Sequence, residues 1–310
     1  MVYAFDPELA TVVPDLPVTD LGDLAVARAA VTELKDRLPV PDTAGLRIDD
    51  VRVPAGGHEV ALRVYRPARP LAPSALYFVH GGGFVVGDLD VARVPCVELA
   101  RELGIVVVSV DYRLAPETPY PGPLEDVYTG LRWLAGHAGE LGVDPRRIVT
   151  YGISSGGCLS AGLSLLARDR GGPPIAYQFL NAPVLDDRLI TPSMREFVDT
   201  PLWNRPQAEL SWDAYLGPGI RATEAVSCYA APARATELSG LPPAYVSVKQ
   251  FDPLRDEGIA YAVALQAAGV NVELHLFPGT FHGSTRCVDA AISRREHEEQ
   301  LAVLRRVTHH

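Results

Sequence analysis

Two hydrophobic periods alternate along this chain. Short apolar runs bounded by Gly, Pro or Asp recur at Leu46 to Val53, Val60 to Tyr65, Ala75 to Val79, Ile105 to Val110, Arg147 to Tyr151, Ile175 to Leu180, Ala244 to Val248 and Val272 to Phe277, and they read as strands. Between them, helical patterns cover Val91 to Leu103, Leu124 to Ala138, Gly156 to Arg168, Leu254 to Ala268 and Ala290 to Val307, the fourth closed by the stop glycine of "AAGV". Such alternation predicts an α/β fold: an eight-stranded, mostly parallel sheet flanked by helices, with ligands bound at the carboxyl ends of the strands. The first two strands have no helix between them and should pair antiparallel.

Two segments break the alternation. Residues 1–45 join the proline-rich "VVPDLPVTD" to the helical "LAVARAAVTELKDRL", and residues 185–220 interrupt the sheet with a stretch rich in aromatics and prolines. The core would then span residues 46–184 and 221–310. Trp203, Trp212 and Tyr215 in the inserted segment have two readings that sequence weighs equally. They form a satellite core, or they belong to a helical cap lowered over the active edge of the sheet.

Composition narrows the function. The 310 residues are 47% hydrophobic and 21% charged, enough to bury one large core, and the net charge of -10 argues against nucleic acid as a partner. The arginine pairs Arg294-Arg295 and Arg305-Arg306 alternate with "EHEEQ", the pattern of a solvated helix face. The start, "MVYAFDPELATVV", has no signal-peptide pattern, and the longest apolar runs, such as "GIVVVSV", are of strand length. No integral membrane segment is expected. Cys96, Cys158, Cys228 and Cys287 lie far apart without CxxC spacing, so buried free thiols and a reducing cytoplasm are expected rather than a zinc site or a disulfide framework. His309 and His310 have no part in this functional reading.

The stretch "YGISSGG" carries the first candidate chemistry. Ser154 has Gly152 two residues before it and Gly156 two after, the G-x-S-x-G spacing; Ser155 would have Ile153 in place of the first glycine. The strand "RIVTY" must reverse abruptly into the helix of "GGCLSAGLSLLA", and side chains at the two glycine positions would collide in that turn. A second loop, "HGGGF" from His80, follows the third strand. Its backbone N–H groups are unobstructed, as stabilisation of an oxyanion requires, and it lacks the phosphate-loop and dinucleotide patterns.

A serine hydroxyl needs a base and a group to orient that base. His282, in "LFPGTFHGS", is the histidine at a strand's carboxyl end downstream of the serine, and Asp252, in "QFDPLRDEG", follows the preceding strand. Asp252 before Pro253 is also a good helix cap, a compatible role, and it is preferred to Asp256, which lies a turn inside the helix. The order Ser154, Asp252, His282 is that of an α/β-hydrolase triad.

Together HGGGF, "DYRLAPETPYP", the serine elbow, "DPLRDEG" and "FHG" resemble the hormone-sensitive-lipase-like branch of α/β-hydrolase esterases over residues 80–283. The resemblance implies a carboxylic ester hydrolase acting on small-molecule esters of short to medium acyl chains, without a cofactor, with a helical cap. It implies that the N–H groups of Gly82, Gly83 and Ser155 form the oxyanion hole, that Arg113 and Glu117 of "DYRLAPE" brace the loop beneath it, and that a homodimer would pair through a sheet edge or the C-terminal helix. Members commonly read Gly-Asp-Ser-Ala-Gly at the elbow. Here Ile153 replaces the acid, removing a polar anchor near the serine, and Ser155 replaces the alanine while keeping its backbone N–H. The alternatives are an amidase or lactonase using the same residues, or a non-catalytic ligand receptor on the same scaffold, as in plant gibberellin receptors. Presence of all three triad candidates argues against a receptor.

Overall fold

A computed structural model describes residues 3–17 and 20–309, with every side chain there except that of Asp36. Residues 1, 2, 18 and 19 of the expected N-terminal segment, and His310, lie outside the described residues. Among the described residues, eight strands form one sheet: β1 Leu46–Pro54, β2 Glu59–Pro67, β3 Ala75–Val79, β4 Val106–Asp111, β5 Ile148–Ile153, β6 Tyr177–Asn181, β7 Ala244–Phe251 and β8 Val272–Phe281. Their order is β1-β2-β4-β3-β5-β6-β7-β8. Strand β2 is antiparallel to both β1 and β4, and the remaining neighbours are parallel.

The helices are α1 Pro7–Val12, α2 Leu24–Arg37, α3 Arg93–Leu103, α4 Gly122–Gly136, α5 Ala138–Leu141, α6 Ser155–Asp169, α7 Pro192–Glu196, α8 Arg205–Leu216, α9 Arg255–Ala267 and α10 Ala291–His309. All five residues of β3 and of β6 are buried, because helices cover both faces and leave no side of these strands for water. Apolar residues of α3 and α10 pack with Leu76, Phe78, Val107 and Phe179 on one face. On the other, α4 and α6 pack with Tyr77, Val79, Val108 and Val110, and α9 closes the end near β7. Trp212 and Tyr215 of α8 are fully buried and join that principal core through Phe84.

Two strands run furthest past the apolar stretches that mark them in the sequence. The β7 ladder continues beyond Val248 through Lys249 to Phe251, with an irregular register between the last two, and β8 continues beyond Phe277 to Phe281 despite Pro278 and Gly279. A buried lysine and a Pro-Gly pair hide that continuation from periodicity alone. Its consequence is positional: Phe251 pairs with Phe281, so the residues that follow, Asp252 and His282, emerge side by side. All four cysteines are free; Cys96 and Cys158 are buried as expected, whereas Cys228 and Cys287 are only partly covered.

Candidate active site

The chain winds outward from β3 in one direction to β4 and in the other to β5, so the carboxyl ends of the paired strands β3 and β5 flank the crevice where such sheets bind ligands. The HGGG loop leaves β3 there, and Ser154 leaves β5. Ser154 sits between the last residue of β5 and the first of α6 at φ 56° and ψ -118°, a conformation rare for a residue with a side chain. Glycine makes that turn feasible. A Cβ on Gly152 would overlap the Gly156 carbonyl, and one on Gly156 would overlap the carbonyls of Val79 and His80 at the end of β3.

The three candidate side chains meet at the carboxyl edge. His282 Nδ1 lies 2.7 Å from Asp252 Oδ2, and His282 Nε2 lies 3.0 Å from Ser154 Oγ. The carboxylate accepts from Nδ1–H, which leaves Nε2 with the lone pair that accepts the serine hydroxyl. Asp252 is buried, and its other oxygen accepts from Leu254 N–H at 2.9 Å, so one carboxylate both orients the imidazole and turns the chain toward α9. That helix starts at Arg255, one residue later than its sequence pattern. Asp256 points elsewhere, pairing with Arg255 and accepting from Ser193 N–H.

The HGGG loop runs against the serine: a Cβ built on Gly81 would lie 3.3 Å from Ser154 Cβ. A peptide carbonyl and the following N–H share one rigid plane and point in opposite directions, so pinning a carbonyl aims the next amide. His80 Nδ1 donates to Gly81 O at 2.9 Å, which fixes the plane of Gly82 N–H. Val85 N–H and Val86 N–H donate to Gly82 O at 3.1 and 3.0 Å, which fixes that of Gly83 N–H. Cys158 N–H and Val184 N–H, both at 3.1 Å from Ser154 O, do the same for Ser155 N–H. Burial lowers the His80 pKa, keeping its imidazole neutral, and the ring stacks on Tyr112 at 4.3 Å between centroids.

A family model for the alpha/beta hydrolase fold matches residues 76–286, the stretch that carries the hormone-sensitive-lipase-like motifs. The chain belongs to that family. It is similar to carboxylesterase NlhH of Mycobacterium tuberculosis, 42% identical over 291 residues that cover 90% of this chain and 88% of the relative. Esterase LipI of the same species is 39% identical over 285 residues, covering 90% and 88%. Among solved structures, a bacterial heroin esterase superposes with a TM-score of 0.95 at 50% identity, covering 98% of each chain. Esterase LipW of Mycobacterium marinum superposes at 0.87 and 37%, covering 98% of this chain and 96% of that one.

In this hydrolase the "DYRLAPE" segment lies beneath the loop. Tyr112 OH donates to His80 O at 3.0 Å, Ala115 N–H donates to Phe84 O at 3.0 Å, and Arg113 is locked to the buried Asp126 through two guanidinium bonds. Glu117 pairs with Arg28 of α2, whose guanidinium also donates to Val85 O and Ala115 O. Trp203 sits against the site itself, its ring 5.8 Å from that of His282 and its Cη2 3.1 Å from a Cβ built on Gly83. Below the triad runs a buried polar layer. Lys249 pairs directly with Glu296 of α10, Gln300 bridges Glu296 to Tyr151 and Asn181, and Asn181 holds Ser247 through its side chain and Ser154 N–H through its main chain at 2.9 Å. Sequence reasoning missed this layer. Among the described residues no group of three or more His, Cys, Asp or Glu is placed to hold a metal ion, and no helix is long and apolar enough to cross a membrane.

Proposed function

We propose that this chain hydrolyses carboxylic esters of short to medium acyl length through an acyl-enzyme on Ser154. The observation that carries this reading is the unbroken hydrogen-bond chain from Asp252 through His282 to Ser154, set beside a loop whose amides are aimed by pinned carbonyls. Ser154 Oγ attacks the ester carbonyl carbon as His282 Nε2 takes its proton, and the N–H groups of Gly82, Gly83 and Ser155 receive the oxyanion. When the tetrahedral centre collapses, the ester C–O bond breaks and His282 returns the proton to the departing alcohol. Water then enters by the same route and frees the acid. The relatives named as carboxylesterases and esterases support the substrate class.

On this reading residues 1–45 and 185–220 form a cap whose apolar side chains, Trp203 foremost, close over the acyl group. A homodimer through the free edge of β8, where Leu274 and Leu276 are exposed, and a cytoplasmic setting for the four free thiols are further parts of the proposal. Ser154→Ala should abolish turnover of p-nitrophenyl butyrate, and Ser155→Ala should keep most of it, because only the backbone N–H at 155 is used. A dead Ser155→Ala variant beside an active Ser154→Ala would overturn the elbow assignment. A series from acetate to palmitate esters, with matched amides and lactones, should show a sharp fall beyond medium chains and a preference for esters.

A further inference from the structure

Every carbonyl from His80 to Val85 has a donor, but the donors come from two sources. Four carbonyls are held from within the core: His80 O by Tyr112, Gly81 O by His80, Gly82 O by Val85 and Val86, and Phe84 O by Ala115. The other two are held from the segments outside the strand and helix alternation. Arg28 Nε on α2 donates to Val85 O at 3.0 Å, and Ser211 Oγ on α8 donates to Gly83 O at 2.8 Å. A serine inside a helix ordinarily bonds to the carbonyl one turn back. Ser211, fully inside α8 and buried, spends its hydroxyl on the glycine loop instead.

Gly83 is the joint between two peptide planes, one carrying its own N–H and the other its C=O. With φ 57° and no side chain, nothing in the residue itself limits rotation at that joint. Ser211 fixes from outside the plane that carries Gly83 C=O and Phe84 N–H, the neighbour against which the Gly83 N–H plane held by Val85 and Val86 would turn, while Trp203 Cη2 and Leu21 Cδ1 would lie 3.1 and 3.3 Å from a Cβ built there. The outer segments are also joined to each other, since Leu21 N–H donates to Gln207 Oε1 of α8 at 2.8 Å. We infer that Ser211, seconded by Arg28, is a positioning residue that sets the oxyanion loop, so that the closed cap and a competent oxyanion hole are one structural state. This inference rests on the proposed role of the Gly82 and Gly83 amides.

Ser211→Ala, Ser211→Thr and Arg28→Lys test it, with fluorophosphonate titration counting competent Ser154 nucleophiles so that kcat is expressed per active site. Freeing the Gly83 carbonyl plane lets the joint rotate, and a resulting shift of the Gly83 amide by a fraction of an ångström should lower kcat of Ser211→Ala on p-nitrophenyl butyrate about tenfold, with KM within about twofold. Affinity for a trifluoromethyl ketone should fall by the same factor, since Ser154 adds to its carbonyl, His282 takes the proton and the alkoxide occupies the hole. Ser211→Thr restores the hydroxyl and most of kcat, and Arg28→Lys shows a smaller loss of the same kind. A purely structural role would lower the melting temperature and the titrated fraction but leave kcat per site unchanged; that result, or a loss confined to KM, would overturn the inference. Ser154→Ala serves as the separate control: if it stays active the proposed function fails, whereas a dead Ser154→Ala beside an unaffected Ser211→Ala sinks this inference alone.

Discussion

The buried pair beneath the triad gives a sharp quantitative test. Lys249 and Glu296 are both essentially inaccessible to water, and the Lys249 ammonium also lies 5.1 Å above the Phe277 ring. Lys249→Met keeps the length and most of the packing of the side chain, but it leaves the Glu296 carboxylate with Gln300 Nε2 as its remaining donor and one oxygen without any. Breaking a buried pair in this way costs about 3–5 kcal/mol, chiefly the desolvation of the orphaned charge. With an unfolding entropy of roughly 2.1 cal/mol/K per residue, 310 residues give about 650 cal/mol/K, so about 4 kcal/mol lowers the melting temperature by about 6 °C.

The opposite deletion behaves differently. Burial pushes the Lys249 amine down to about 7, against the pull of the Asp252 carboxylate. In Glu296→Gln the amine also loses its carboxylate partner, so it sheds its proton at a lower pH than in the parent, while an unfolded lysine keeps its proton to about 10.4. The unfolded state then binds more protons, so stability rises with pH by about 1.4 kcal/mol per unit through that window. Glu296→Gln should therefore be severely destabilised at pH 6 and recover on going to pH 9, whereas Lys249→Met should not recover. The double variant Lys249→Met/Glu296→Leu, with no charge left to bury, should regain most of the loss. Calorimetric melts at the two pH values decide it. A Lys249→Met protein melting within about 2 °C of the parent, or a double variant no better than the single, would refute the reasoning.

Two other substitutions probe the site and its surroundings. Asp252→Asn keeps an oxygen for Leu254 N–H but presents an amide donor to His282 Nδ1–H, forcing the wrong tautomer; kcat for p-nitrophenyl butyrate should fall about ten-thousandfold with little change in melting temperature, and a loss under tenfold would remove Asp252 from the triad. Burial, with Asp88 nearby, raises the Asp111 carboxyl to about 6, so between about 4 and 6 the folded state binds the extra proton and stability falls as pH rises. Discounted for solvent screening at this partly exposed carboxyl, Asp111→Asn should accordingly stabilise the protein by about 1–2 kcal/mol at pH 8 and by almost nothing at pH 4. An equal effect at both pH values would show that ionisation is not the cause.

The parallel sheet was legible because buried strands must be apolar throughout, and the elbow because only glycine fits beside Val79 and Gly156. Asp252 and His282 could be placed after strands, but their adjacency depends on the ladder that continues through Lys249 and Pro278, where composition argues for an earlier end. Lys249 did leave a trace: it is one of only two lysines in the chain and closes an otherwise apolar strand. Arg28 and Ser211 left none. A surface-like arginine in an amphipathic helix and a serine inside another carry no periodic signal, and the loop atoms they hold are main-chain carbonyls dozens of residues away.

The isoleucine at position 153 can be understood from the same geometry. A strained nucleophile conformation costs on the order of 1–3 kcal/mol and persists only where its surroundings over-determine it. At Ser154 that constraint comes from the main chain: its N–H is held by Asn181 O, and its carbonyl accepts from both Cys158 and Val184. Asn181 is itself pinned by Ser247 and Gln300, which ties the elbow to β7 and α10. None of these bonds uses the side chain at 153. The elbow therefore keeps its shape without an acid there, and its polar anchoring runs through Asn181 and Gln300 to the buried layer that ends at Glu296 and Lys249.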